Sequence, residues 1–238
     1  MRLTPDEFVV IDWGVVQLNA TIVFTWLVMA LLAGVARIVT LRLTDTERPS
    51  RWQNLLEVLV TGMRDQIRQV SQQEPGRYLP FIGTLFLFIA TSNALGVVPG
   101  FLPPTASLST TTALALCVLI AVPLYGIAEQ GFLGYLRTYL QPTFLMLPFN
   151  ILGEISRTVA LAVRLYGNVM SGTVLAALLI SIIPFFFPVL MQLLGLLTGL
   201  IQAYIFAVLA MVYIAAAARA HDREPEKAAD AAGSNAHP

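Results

Sequence analysis

The sequence predicts an all-α membrane protein, and three observations predict it. The 238 residues are 57% hydrophobic and only 12% charged, whereas a soluble domain carries about a quarter charged residues. The charges are clustered, and residues 13–36, 78–128 and 165–218 contain no Asp, Glu, Lys or Arg. A spanning helix takes roughly 20 mostly apolar residues, so each of the two longer stretches holds about two passes. Lipid leaves backbone polar groups no outside partner, and a helix satisfies them within its own segment.

Taken in order, residues 1–18 are a short acidic lead with Asp6, Glu7 and Asp12. A cleaved signal peptide wants a basic start and an apolar core of about 7–15 residues. The longer run from Trp13 to Ala36 is instead expected to stay as a span, at 19–40. Residues 51–70 have a helical period. Trp52, Leu55, Leu56, Leu59, Met63, Ile67 and Val70 share one face, with Arg51, Asn54, Glu57, Arg64, Asp65 and Arg68 elsewhere. Such a pattern describes an amphipathic helix on the membrane surface or a solvated connector packed on the bundle. Pro75–Gly76 ends it. The next spans are 78–98 and, after a loop with Pro99, Pro103 and Pro104, 107–128. Residues 129–141 read as a polar-aromatic link. A long tilted hairpin follows, 144–183 and 189–218, interrupted at Pro184 and Pro188. The tail 219–238, rich in Ala and acids, has no apolar period and reads as disordered. All of 1–218 is expected to form a single membrane domain.

Orientation follows from basic residues, which favour the cytoplasmic side. Residues 37–77 hold seven Arg, while the first 18 residues hold one against three acids. That puts the N-terminus in the periplasm, the 37–77 segment in the cytoplasm and, after five passes, the C-terminus in the cytoplasm. The expected location is the inner membrane of a bacterium. Basic and acidic residues balance at 14 each, with no basic patch to hold nucleic acid. Lone Cys117 reads as a small apolar packing residue, and nothing in the pattern calls for a metal or cofactor.

Arg164 is the residue that composition does not explain, because 54 uncharged residues follow it. Arginine stays protonated, and a charge at mid-bilayer costs at least about 2.5–3.5 kcal/mol. Such a residue faces a protein interior, an aqueous cavity or a partner. Pairing with Glu154, ten residues earlier, would need to bridge about 15 Å of helix rise. Arg157, Arg164, Asn168, Ser171 and Gly172 fall on one stripe of the same helix. The small residues on it let another helix approach closely. Asn168 suits either that stripe or an ordinary interhelical hydrogen bond. On the last helix Thr198, Gln202 and Tyr213 are polar, and an inward Gln202 would oppose Arg164. Ser92, Asn93, Ser107 and Ser109 add polar groups to the middle spans. Singly, hydroxyls of this kind bond back to their own helix. Together they would line an aqueous path. Glu154 and Arg157 would line its cytoplasmic end or form an interfacial pair at three-residue spacing.

The segment Leu161-Ala-Val-Arg-Leu-Tyr-Gly-Asn168 with Ser171-Gly172 resembles the signature of subunit a of F-type ATP synthases. Supporting matches are Arg51-Trp-Gln-Asn-Leu-Leu-Glu57, Ser92-Asn93, Pro104-Thr-Ala-Ser-Leu-Ser109, Gln141-Pro142 and Gln202-Ala-Tyr-Ile-Phe206. The resemblance covers about residues 15–218. It implies a stator subunit with no active site of its own, held with b-type subunits against a ring of c subunits. Two offset half-channels would lead H⁺ or Na⁺ to and from carboxylates on that ring. Arg164 would stand between them, with Asn168 and Gln202 on the ion path and Gly172 at the ring contact. The lining would come from Ser92, Asn93, Ser107, Ser109, Glu154, Arg157, Ser171, Thr173 and Thr198. The sequence departs from many proton-coupled members, which place acids or His at the positions of Gly96, Ser107, Ser109, Thr173 and Gly195. The resulting pattern is similar to an alternative branch of bacterial enzymes suspected of Na⁺ coupling. A stand-alone secondary ion transporter is the rival reading, but such folds often carry internal repeats and none is visible. An intramembrane enzyme would need a nucleophile–base pair or metal ligands within the spans, yet His221 and His237 lie in the tail.

Overall fold

The computed structural model describes residues 9–13, 16–41, 51–72, 74–98, 100–140, 146–182 and 187–219. Six helices dominate: α1 (Ala20–Leu41), α2 (Arg51–Ser71), α3 (Leu79–Leu95), α4 (Leu108–Leu140), α5 (Met146–Ile182) and α6 (Phe187–Arg219). α1, α4, α5 and α6 are each long and apolar enough to cross a membrane, and α3 is a shorter apolar helix of 17 residues. At 1.5 Å per residue α3 covers about 25 Å, most of a hydrocarbon core.

Two findings differ from the sequence reading. The acidic lead contains an antiparallel hairpin of β1 (Val9–Trp13) and β2 (Val16–Asn19), with Trp13 opposite Val16. The link after residue 128 is helical, because α4 runs on to Leu140 past a break at Gly131, where φ is 75° and ψ is 163°. A positive φ costs glycine nothing and an L side chain a good deal, so the chain turns there and resumes as helix. The tail beyond Arg219 and the Gln141–Pro142 match lie outside the described residues.

α6 forms the centre. Its Ala203, Phe206, Ala210, Met211 and Ile214 are buried against Ile82, Leu85 and Ile89 of α3, Ala115 and Val118 of α4, and Leu161 and Leu165 of α5. Alanine on α6 opposite larger residues lets the axes close up. Gly199 goes further: a Cβ there would lie 2.8 Å from the Asn93 Cβ. The outer faces stay apolar, as lipid requires. Trp26 of α1, for example, is 61% exposed. Cys117 is also on an exposed face of α4, and so is not the packing residue expected.

α2 lays its apolar face on the bundle. Ile67 is buried, Met63 reaches Gly83 of α3, and Asn54, Glu57, Arg64, Asp65 and Arg68 are exposed. Of the two readings of this segment, packing on the bundle describes its contacts. Nearby, Arg77 pairs with Glu129, joining the start of α3 to α4. Both side chains are substantially exposed, so Arg77→Gln is expected to cost no more than about 1 kcal/mol. The check is the temperature at which the subunit leaves the detergent-solubilised complex, which should move by only a few degrees.

Candidate functional site

α5 carries Arg164 on an exposed face, beside Val163 and Gly167. Among the described residues no hydrogen bond or ion pair engages its guanidinium. Leu161, Ala162 and Leu165 turn the opposite face of α5 into the core, and this fixes the direction in which Arg164 points.

Two cavities lie on either side of Arg164 along α5. One, of about 420 Å³, is lined by Asn150, Glu154, Arg157 and Thr158 of α5, Tyr135 of α4 and Tyr213 of α6. The Arg157 guanidinium sits 5.6 Å from the centre of the Tyr213 ring, in the range of a cation–π contact, and its charge acts on Glu154. The other cavity, of about 290 Å³, is lined by Asn168, Gly172 and Thr173 of α5, Asn93 and Gly96 at the end of α3, and Gly195 and Thr198 of α6. Thr158 lies six residues before Arg164 and Asn168 four after, which is about 9 Å and 6 Å of rise.

The second cavity gathers much of what the sequence scattered. Asn93 donates from Nδ2 to the Gly199 carbonyl at 3.0 Å and accepts at Oδ1 from the Thr105 hydroxyl at 2.8 Å. Asn168 donates to the Thr198 carbonyl at 3.3 Å. Gln192 ties α6 to the loop by donating to the Val97 carbonyl at 2.9 Å. Of the five positions where acids or His are expected of a proton-coupled pattern, Gly96, Thr173 and Gly195 line this cleft and Ser107 and Ser109 do not; its described lining holds no carboxylate and no histidine. Ser171, Thr173 and Thr198 bond back to carbonyls of their own helices. Ser107 and Ser109 pair with each other at 2.6 Å, and neither lines the cleft.

Gln202 is buried at 6% exposure, and its Nε2 has no partner among the described residues; the fully buried Ser92 Oγ has none there either. A buried, unpaired donor costs about 1–3 kcal/mol, so both atoms mark a place for water or for an acceptor from outside the chain. The expected opposition of Gln202 to Arg164 is not a hydrogen bond between them among the described residues.

The model of the family described as ATP synthase A chain matches residues 22–215. The chain belongs to that family. A protein named ATP synthase subunit a 2 from Acaryochloris marina is 62% identical over 219 residues, 92% of this chain and 94% of the relative. ATP synthase subunit a from Albidiferax ferrireducens is 56% identical over 226 residues, covering 95% and 98%. ATP synthase subunit a 1 from Chlorobaculum parvum is 59% identical over 223 residues, covering 94% and 99%. The chain is therefore a multi-pass membrane subunit of an ATP synthase, and the stand-alone transporter reading falls away. In this ATP synthase A chain, sequence reasoning missed Asn150, Thr105 and Gln192. Asn150 and Gln192 are single polar residues in apolar sequence that the meeting of helix faces brings to a cavity, and Thr105 instead bonds to Asn93 from the turn before α4.

Proposed function

We propose that this subunit is the stationary ion conductor of an F-type ATP synthase, with a half-channel starting from each cavity and Arg164 between them. The observation that carries the reading is an exposed guanidinium in the spanning part of α5, unpaired among the described residues, with a polar cavity before it and another after it. The partner at that face is the c-subunit ring, with b-type and other synthase subunits completing the stator. The location is the bacterial inner membrane, with the N-terminus periplasmic and the C-terminus cytoplasmic. The Arg77–Glu129 pair and the Gln130 contact to Ala217 and Ala218 then share the cytoplasmic end with the Glu154 cavity. The Asn168 cleft opens to the periplasm. The chain itself holds no active site.

The mechanism follows from charge. A ring carboxylate facing lipid must be neutral, since an ion there is too costly. Beside Arg164 it is driven to ionise. Opposite charges 4 Å apart attract by about 4 kcal/mol at an effective dielectric of about 20, worth about a thousandfold in proton affinity. The bound ion leaves through one half-channel, and a new one arrives through the other once the ring has moved on. The same fixed charge repels a cation that would cross directly. Asn168, Thr173 and Thr198 give the periplasmic cleft amides and hydroxyls that serve Na⁺ and water-borne H⁺ alike.

ATP-driven uptake into proteoliposomes holding the whole complex tests the reading. Uptake abolished by protonophore and indifferent to Na⁺ assigns H⁺, and uptake that requires Na⁺ and survives protonophore assigns Na⁺. No ion uptake with an intact ring and catalytic sector would overturn it. Asn168→Leu and Gln202→Leu each remove one neutral hydrogen-bonding group, worth about 1 kcal/mol. Each is expected to slow uptake about fivefold, and wild-type rates in both would remove them from the path.

A further inference from the structure

Tyr135 occupies a position that helix geometry alone would not give it. It follows Gly126 by nine residues, which in an unbroken helix is about 13.5 Å of rise. Yet a Cβ on Gly126 would lie 2.6 Å from one Tyr135 ring carbon and 2.7 Å from another. The ring is folded back onto the glycine, and the break at Gly131 makes this reversal. The residue just before the break is anchored, because Gln130 donates to the Ala217 and Ala218 carbonyls in the last turn of α6 at 2.6 and 3.1 Å. So a fixed end, a glycine turn and a glycine notch together aim one phenol. It lines the cytoplasmic cavity and interacts electrostatically with Glu154 across it. The other charged or titratable groups described there are Arg157 of α5 and Tyr213 of α6.

We propose that Tyr135 is a positioning residue for Glu154, holding that carboxyl at the cytoplasmic mouth of the ion path from its seat on Gly126. The proposal rests on the cytoplasmic cavity being a half-channel. The phenol offers a hydrogen-bond donor to an acceptor, and Arg157 lies over the Tyr213 ring, so the cavity that Glu154 lines holds both a neutral donor and a cation. Removing the donor changes how readily Glu154 takes and gives up an ion without emptying the cavity.

The test uses everted vesicles carrying the complete synthase, in which the cytoplasmic face is outside. Initial rates of ATP-driven ion uptake are measured against external pH for Tyr135→Phe, Glu154→Gln, their combination, and Gly126→Ala. Tyr135→Phe keeps the ring in its notch, and is expected to slow uptake about fivefold, the worth of one neutral hydrogen bond, and to displace the external pH profile. Gly126→Ala drives the ring off its seat and is expected to displace the profile in the same direction. The combined variant is expected to be no slower than Glu154→Gln, because partners in one interaction are not additive. An unchanged rate and profile in Tyr135→Phe, with Glu154→Gln impaired, overturns the assignment of Tyr135 alone. Full multiplication of the two effects does the same. A Glu154→Gln complex with wild-type rate and profile removes the cytoplasmic half-channel itself, and this proposal with it.

Discussion

Arg164→Ala is expected to abolish ion-driven ATP synthesis while leaving the subunit in the membrane at wild-type level. The two halves of this expectation have separate causes. The guanidinium is exposed on α5 and has no partner among the described residues. Removing it takes no contact from the bundle, and substitutions of this kind stay within about 0.5 kcal/mol of neutral. The loss of function is large because the other cation on that stripe, Arg157, lies seven residues or about 10.5 Å of rise away and sits over the Tyr213 ring. Without about 4 kcal/mol of attraction, a ring carboxylate keeps its ion as it passes, and coupled synthesis falls by about a thousandfold. The barrier to direct passage goes too, so vesicles are expected to leak ions passively. Synthesis rates, membrane content by immunoblot and decay of an imposed ion gradient measure the three effects. Coupled synthesis at normal rate in Arg164→Ala would refute the role given to the residue.

Gly199→Leu is expected to strip the subunit from the membrane. Any side chain at Gly199 enters space that the Asn93 side chain fills, with Cβ at 2.8 Å and Cγ at 3.0 Å from a built Cβ. The Asn93 Cβ is fixed to the backbone of α3, so the two helices must part. Overpacking of this kind costs about 1–3 kcal/mol. Parting α3 and α6 also stretches the Asn93 hydrogen bond to the Gly199 carbonyl and disturbs Thr105, at about 1 kcal/mol each. The total approaches the lower end of a typical protein's stability. Gly172 supplies the control, since nothing lies within 4 Å of a Cβ built there. Gly172→Ala is therefore expected to leave membrane content unchanged. Immunoblots of washed membranes compare the two, and normal accumulation of Gly199→Leu would mean that α3 and α6 do not meet at this point.

The helices were legible where charges and apolar runs gave sharp edges. Span 19–40 became Ala20–Leu41, and 144–183 became Met146–Ile182, because lipid selects for length and hydrophobicity and little else. The continuation of α4 was not legible. Polar residues from Glu129 onward end an apolar run without ending a helix, and Gly131 reads as a stop although it serves as a bend. Arg164 could be read from sequence because its cost in lipid is independent of its neighbours. Lining residues could not, because a cavity depends on which helix faces meet. Ser109 and Ser171 carry the same hydroxyl as Thr173, yet Thr173 lines the Asn168 cleft and the serines do not. Tyr135 falls unremarked within the 129–141 link, since its return to Gly126 depends on the break between them.

The most direct test is a disulfide cross-link between α5 and the ring in the assembled synthase. With Cys117→Ser as background, Gly167→Cys and Ser171→Cys each set a thiol on the exposed face that carries Arg164. A second cysteine is placed beside the membrane carboxylate of the c subunit. Oxidation is expected to join the two subunits from both α5 positions and not from Trp26→Cys on the outer face of α1. Failure of both α5 thiols to cross-link in an assembled, ATP-hydrolysing complex would contradict the account.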